Sequence, residues 1–500
     1  MSKTIKYVTT SFLWGIVSKV FDAGLKFLSV PMLLTYFGNE NFALISLAMS
    51  VNAYMNLLDM GVNTGAIKYF SEWIARGRYA IIHSVARTSL YFYGLIGIVN
   101  SILLITVAGF GMNLFTITID QALILRDLFL ILAFFSVINW STSVLNQLLI
   151  ANESVFYIHQ VNIVKSLMIF MVIAITIYFE LGLKNYFILF ILVNSLTIIP
   201  FFFLVKKAKL ITSLFLPADW KNFSVILKYS LSIILMSVFQ VSASSLRPII
   251  LAIFSTNGII VVAEYRIMET ISILVISIGG MFTSIFLPKT SKLLLENDNE
   301  KIQSFAYEAT VYTSIVCVIL CFPIILCAKE ILSVYVGKEY LYLSNWLILW
   351  IGTILIFLHS TPISSIILST GKTRILTVST GISCIVSLSV TAILCRQIGV
   401  GSAIIGFAIY IVIQMSFYYL YFNKRVLGLD SLKVFKAFVF PTLLGLVCML
   451  GVYFLNLKLE NLVIQMLIKC FIWVTLYVIS LLLTGIINAK LILGLARIKT

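Results

Sequence analysis

Lys19, Asp22 and Lys26 stand in an otherwise almost wholly apolar stretch. Their i, i+3, i+7 spacing puts all three on one face of a helix. Two cations against one anion leave a surplus positive charge, which suits an anion site. A second group comes much later: Arg247 directly before Pro248, then Glu264, Arg266 and Glu269. Glu264 and Arg266 lie about 200° apart on a helix, so they serve different faces, and one of these charges is expected to meet Arg247. Asp59 stands in a third apolar stretch. A carboxylate in a half-exposed cavity can take up a proton and couple its movement to a gradient, and Asp22, Glu264 and Glu269 offer the same chemistry. Each group also has a purely structural reading: a Lys–Asp–Lys ladder that fixes helix packing, a salt bridge between consecutive helices, or an Asp59–Lys68 pair.

The elements that must position these residues follow from composition. Of 500 residues, 61% are hydrophobic and 11% charged, with a mean hydropathy of +1.08. Soluble domains carry about 25% charged residues. Apolar runs long enough to span a bilayer recur from end to end. The chain therefore reads as an all-α, polytopic membrane protein, because backbone groups in lipid must be paired within their own segment. A charged side chain in such a segment costs about 2.5–3.5 kcal/mol, so those that remain are candidates for function.

About 14 spans are expected, near 12–37, 41–67, 88–112, 122–148, 157–179, 186–205, 226–254, 259–286, 305–327, 343–368, 375–395, 400–422, 437–455 and 463–485. "YFGNEN" (36–41), "FSTNG" (254–258) and "QIGVG" (397–401) supply breakers between them. With the N-terminus cytoplasmic, more than twenty Lys and Arg fall in cytoplasmic segments, against Lys184, Lys329, Lys338, Arg396 and Lys458 outside. That asymmetry places both termini in the cytoplasm, and the basic-then-apolar N-terminus reads as an uncleaved first span. The two halves resemble each other at an offset near 219 residues: "NQLLIANES" (146–154) matches "SIILSTGKT" (365–373), and Gly61 falls opposite Gly280. Six spans per half make the repeat parallel, an arrangement that places a transporter's site between the halves. The expected organisation is a six-helix bundle at 1–205, a cytoplasmic linker at 206–225, a second bundle at 226–424, and two additional helices with a cytoplasmic tail at 425–500.

Other classes are disfavoured. The net charge of +16 is explained by anchors between spans, so no nucleic-acid partner is expected. The seven cysteines lie in or beside apolar runs with no C-x-x-C pair or Cys/His cluster, so neither a disulfide framework nor a metal site is indicated. No G-x-S-x-G, H-E-x-x-H or P-loop is present, and the longest external loop, 328–342, has no Arg or His. No catalytic residue and no cofactor is expected. Lys165 is expected to snorkel or pair locally and Lys469 to snorkel, His359 to be a packed polar residue, and Trp73 and Trp473 to join an interfacial aromatic belt.

"FGNENFALISLAMSVNAYMNLLDMGVNTGAIKYFSEWIARGR" (37–78), with its Leu-Asp-Met-Gly element at 58–61, and "LSTGKTRI" (368–375) carry a resemblance over nearly the whole chain. The sequence resembles the Wzx-type polysaccharide flippases of the multidrug/oligosaccharidyl-lipid/polysaccharide (MOP) exporter superfamily. The resemblance implies a MATE-like pair of six-helix bundles rocking around a central cavity in the bacterial inner membrane. It implies transport of undecaprenyl-pyrophosphate-linked oligosaccharide between leaflets, with membrane lipids and the pathway's polymerase and chain-length regulator as partners. With the internal repeat, spans 1, 2, 7 and 8 are expected to face one another across the cavity, and Lys19, Lys26, Arg247 and Arg266 to converge there, where a pyrophosphate would be met by several cations. Alternatives of the same fold are a cation-coupled multidrug exporter and a lipid II flippase. A membrane polysaccharide polymerase is a further alternative.

Overall fold

The computed structural model describes residues 3–55, 57–110, 114–211, 218–256, 258–295, 299–370, 373–455, 457 and 459–486. Among them there is no strand. Eleven helices of the described residues are long and apolar enough to cross a membrane, and a shorter apolar stretch covers Val238–Phe254.

The first helix, α1 (Lys3–Met55), would be about 80 Å long if straight, far more than the roughly 30 Å of bilayer hydrocarbon. Gly38, at φ 76° and ψ 170°, breaks it into two arms. That conformation is open to glycine and strained for other residues. α2 (Leu57–Ala75), α3 (Tyr79–Phe110), α4 (Ile119–Ala151), α5 (Val155–Tyr178), α6 (Leu183–Leu196), α7 (Ile198–Lys207) and α8 (Trp220–Phe254) follow. α4 starts on a capping box, with Thr118 and Gln121 satisfying each other's backbone N–H. α8 starts on Asp219, whose Oδ1 accepts from the Asn222 N–H at 3.0 Å. Asp219 is tied to α3 as well: Ser84 donates to its carboxylate at 3.3 Å, and its own N–H donates to Thr88 Oγ1. Burial pushes its carboxyl up, but the hydrogen bonds from Asn222 and Ser84 and the Lys221 charge outweigh this and hold it below the usual carboxylate range.

These helices, with the start of α9 (Ile260–Leu295) and the second part of α14 (Thr373–Ile398), form one compact unit, residues 1–270 and 380–403. Its core at one end gathers Phe70, Trp73, Tyr93, Trp140, Phe201 and Phe223. Trp73 is thus a core residue, not part of an interfacial belt. α2 meets α8 at Gly65, where a side chain would collide with Ser230 Oγ and come within 3.1 Å of the Ile226 carbonyl.

The second unit comprises 271–379 and 404–500. It holds the rest of α9, α10 (Asn299–Leu326), α11 (Ala328–Tyr335), α12 (Ser344–Leu358), α13 (Thr361–Ser369), α15 (Gly401–Phe417), α16 (Ser431–Phe454) and α17 (Leu462–Leu483). A π-helical stretch, Tyr418–Val426, continues α15. α16 and α17 are seated on α10. Trp473 stacks on Phe322 with centroids 5.8 Å apart, and its Nε1 donates to the Gly445 carbonyl at 3.1 Å. Trp473 is fully buried, so the belt expected from sequence loses this residue too: the indole N–H finds its acceptor inside the protein. Lys469 does not snorkel either. It forms a 2.6 Å ion pair with Glu330 on α11.

Candidate functional site

The first arm of α1 presents Gly15, Lys19, Asp22 and Lys26, spaced four, three and four residues apart, toward α5. Gly15 admits the His159 ring: a Cβ there would lie 3.1 Å from Nε2. Further along, Asp22 accepts from Ser166 Oγ at 2.8 Å and from Lys26 Nζ at 2.8 Å. Lys165, beside Ser166, lies close enough for its charge to act on both Asp22 and Lys26, and Lys19 acts likewise on His159. The seam between α1 and α5 therefore sets two ammonium groups, Lys26 and Lys165, about the Asp22 carboxylate, and a third, Lys19, beside His159. Lys19 and Lys26 are exposed, the Lys26 side chain by 67%. With Asp22 already occupied by two donors, the remaining N–H groups of the lysines are available to a multiply charged anion.

The other expected site residues stand in two further groups of the same unit. Arg266 pairs with Glu269 one turn along α9 and reaches the second arm of α1, donating to Ser50 Oγ and, at 3.3 Å, to the Ser46 carbonyl. Its charge is thus offset within its own helix. Arg247, buried in α8, donates to Ser387 Oγ on α14 at 3.3 Å and hydrogen-bonds the buried Tyr265 hydroxyl. Glu264 is buried beside Tyr265 in sequence. The side chain of Asp59 lies outside the described residues.

Lys165, Ser166 and His159 joined the seam without being singled out as site residues by sequence reasoning. Lys165 did carry a signal, since it interrupts an apolar span just as Lys19 does. Ser166 carried none, because a serine in a membrane helix usually bonds its own backbone. His359 is packed: Nε2 lies 2.8 Å from the Tyr419 hydroxyl and the ring stacks on Phe438.

No protein-family model matches the chain, and no curated protein matches it by sequence. Solved structures do resemble it. The lipid II flippase MurJ, in an inward closed conformation, superposes with a TM-score of 0.73 at 15% identity, over 93% of this chain and 97% of that one. A multidrug resistance MATE family transporter of the MOP superfamily, inward-facing, gives 0.64 at 16% identity, over 83% and 93%. A MOP superfamily transporter from Pyrococcus furiosus, described as having a binding pocket of reverse polarity, gives 0.56 at 15% identity, over 86% and 94%. The chain has the fold of these membrane transporters.

Proposed function

We propose that this chain is a flippase. It moves an undecaprenyl-pyrophosphate-linked oligosaccharide, such as an O-antigen, capsule or exopolysaccharide repeat unit, from the cytoplasmic to the periplasmic leaflet of the bacterial inner membrane. On this reading both termini are cytoplasmic, and fourteen spans form two six-helix halves, 1–205 and 226–424, plus a final pair. The halves alternate in access, coupled to an ion through acids such as Asp22 or Asp59. The observation that carries the reading is the α1–α5 seam, where Lys19, Lys26 and Lys165 outnumber Asp22. A pyrophosphate is met by several cations, and Arg247, which is buried in α8 apart from the seam and bonded to Ser387, is the further guanidinium proposed for it. The likeness to a lipid II flippase over 93% of the chain supports a lipid-linked cargo.

The MATE likeness favours a second reading, a multidrug exporter. A cationic drug is best held by a net acidic site, and the seam has the opposite sign. A lipid II flippase shares the chemistry of the first reading and differs in the glycan. A polysaccharide polymerase has the least support, since the segment 328–342, largely helical, lacks Arg and His.

The test is glycan display on cells whose only copy of the gene carries Lys26→Ala or Arg247→Ala. Display is expected to be lost while the protein stays in the membrane. Wild-type display in both variants would overturn the cation site. Drug extrusion by vesicles that move no glycan would replace the flippase reading with the exporter.

A further inference from the structure

The same turn of α5 that joins the seam also forms the floor of an outward-facing groove. A cavity of about 290 Å³ runs between α5 and the α6–α7 segment, with Gln160, Val164, Lys165 and Met168 on one wall and Leu196 and Pro200 on the other. Val164 and Met168 are exposed, so the groove opens away from the unit's core. Its walls are apolar but for the amide of Gln160, the hydroxyl of Thr197 and the ammonium of Lys165.

Depth gives that ammonium its meaning. Lys165 is the eleventh residue of a 24-residue membrane helix, roughly 15 Å from its start and therefore near the middle of a hydrocarbon layer about 30 Å thick. A lysine there is costly unless something anionic offsets it. Asp22 is the acid in its range, but that one carboxylate is shared with Lys26 and Ser166, which both bond to it. The phosphate of a resident phospholipid stays at the interface, well beyond the reach of a side chain about 6 Å long. An anionic headgroup reaches this depth only while it is being carried across.

We propose that the α5–α6–α7 groove is the lateral passage for the cargo's lipid tail, and that Lys165 meets its phosphate at mid-depth while the polar headgroup travels along the α1–α5 seam. This rests on the flippase reading and adds its route. The occupant is an isoprenoid lipid phosphate. The walls take an apolar chain, and among the described residues Lys165 belongs to both groove and seam.

The experiment places a benzophenone amino acid at Val164, and separately at Met168, in the full chain reconstituted with radiolabelled undecaprenyl pyrophosphate. Illumination is expected to label the protein from both positions. Lys165→Gln should cut the labelling at least tenfold, and Lys165→Arg should retain it, at equal protein levels and thermal stability. Binding of the same probe is measured in parallel with Lys26→Ala. If the probe binds, Lys26→Ala weakens it and neither groove position labels, the passage is overturned while the flippase reading stands. Labelling by phosphatidylglycerol that is equal in strength and indifferent to Lys165→Gln would make the groove a site for resident lipid, which also overturns the proposal. A probe that does not bind at all removes both.

Discussion

Lys469 in α17 and Glu330 in α11 form an ion pair at 2.6 Å, with side chains only 14% and 15% exposed, and Gln465 donates to the same Glu330 oxygen at 3.0 Å. This clamp ties the last helix to the segment after α10. Removing one partner of a buried pair leaves an uncompensated charge and costs about 3 kcal/mol. Lys469→Ala should therefore lower the thermal unfolding temperature of the purified protein. Replacing both residues by leucine should recover most of the loss. A double variant no more stable than Lys469→Ala would contradict the pairing.

The same carboxylate sets a pH dependence. Burial pushes Glu330 up, but the hydrogen bond and charge of Lys469 prevail and hold it below its ordinary 4.5. A carboxyl lowered in the folded state contributes stability that is complete above about pH 4.5 and fades as pH falls through the lowered value. Unfolding temperature should accordingly drop on acidification below that point, and Glu330→Gln should flatten this part of the curve. An unchanged curve in the variant would assign the acid sensitivity elsewhere.

Cys327, at the end of α10, and Cys470, next to Lys469, bring their Sγ atoms to 4.0 Å. A disulfide needs about 2.05 Å, a closing movement of roughly 2 Å. Copper phenanthroline applied to membranes should link the two cysteines, seen as a joined peptide pair by mass spectrometry and absent in Cys470→Ser. Failure to link under full oxidation of control thiols would mean that α17 does not sit at this junction.

Gly445 lets α16 approach α10: a Cβ there would lie 2.6 Å from Val318 Cγ1. Gly445→Ala should destabilise by about 1–3 kcal/mol through overpacking. Val318→Ala in the same chain should restore part of that, since it removes the methyl in the way. Non-additivity in a thermal double-mutant cycle is the readout.

Nearer the middle of the chain, Asp219 caps α8. Asp219→Ala should cost about 1 kcal/mol and speed amide hydrogen exchange in the first turn of α8, while Asp219→Asn should stay near the wild type. Equal exchange in all three would remove the cap from the account of how α8 begins.

What the sequence disclosed and what it hid have separate physical causes. The charges of the first span were legible because lipid tolerates few of them, and the break at Gly38 was legible because "YFGNEN" is a breaker cluster. Asp22's bond to Ser166 was not, because it joins helices 144 residues apart and a lone serine has no periodicity to announce it. Trp473 and Lys469 were misplaced for a common reason. Sequence position suggested an interface, and lipid-facing partners were assumed for both. The fold instead supplied the Gly445 carbonyl and Glu330.

The break in α1 lies between the residues that serve two of the three charge clusters of the first unit. The arm before Gly38 carries Lys19, Asp22 and Lys26, and the arm after it carries Ser46 and Ser50, which receive Arg266. With both arms stiffened by helical hydrogen bonds, rotation between them is concentrated in the two torsions of a single residue. A change of angle at Gly38 would move the seam lysines relative to the contacts that Arg266 makes with Ser46 and Ser50. Any other residue at position 38 would stiffen that pivot before it altered a single charge.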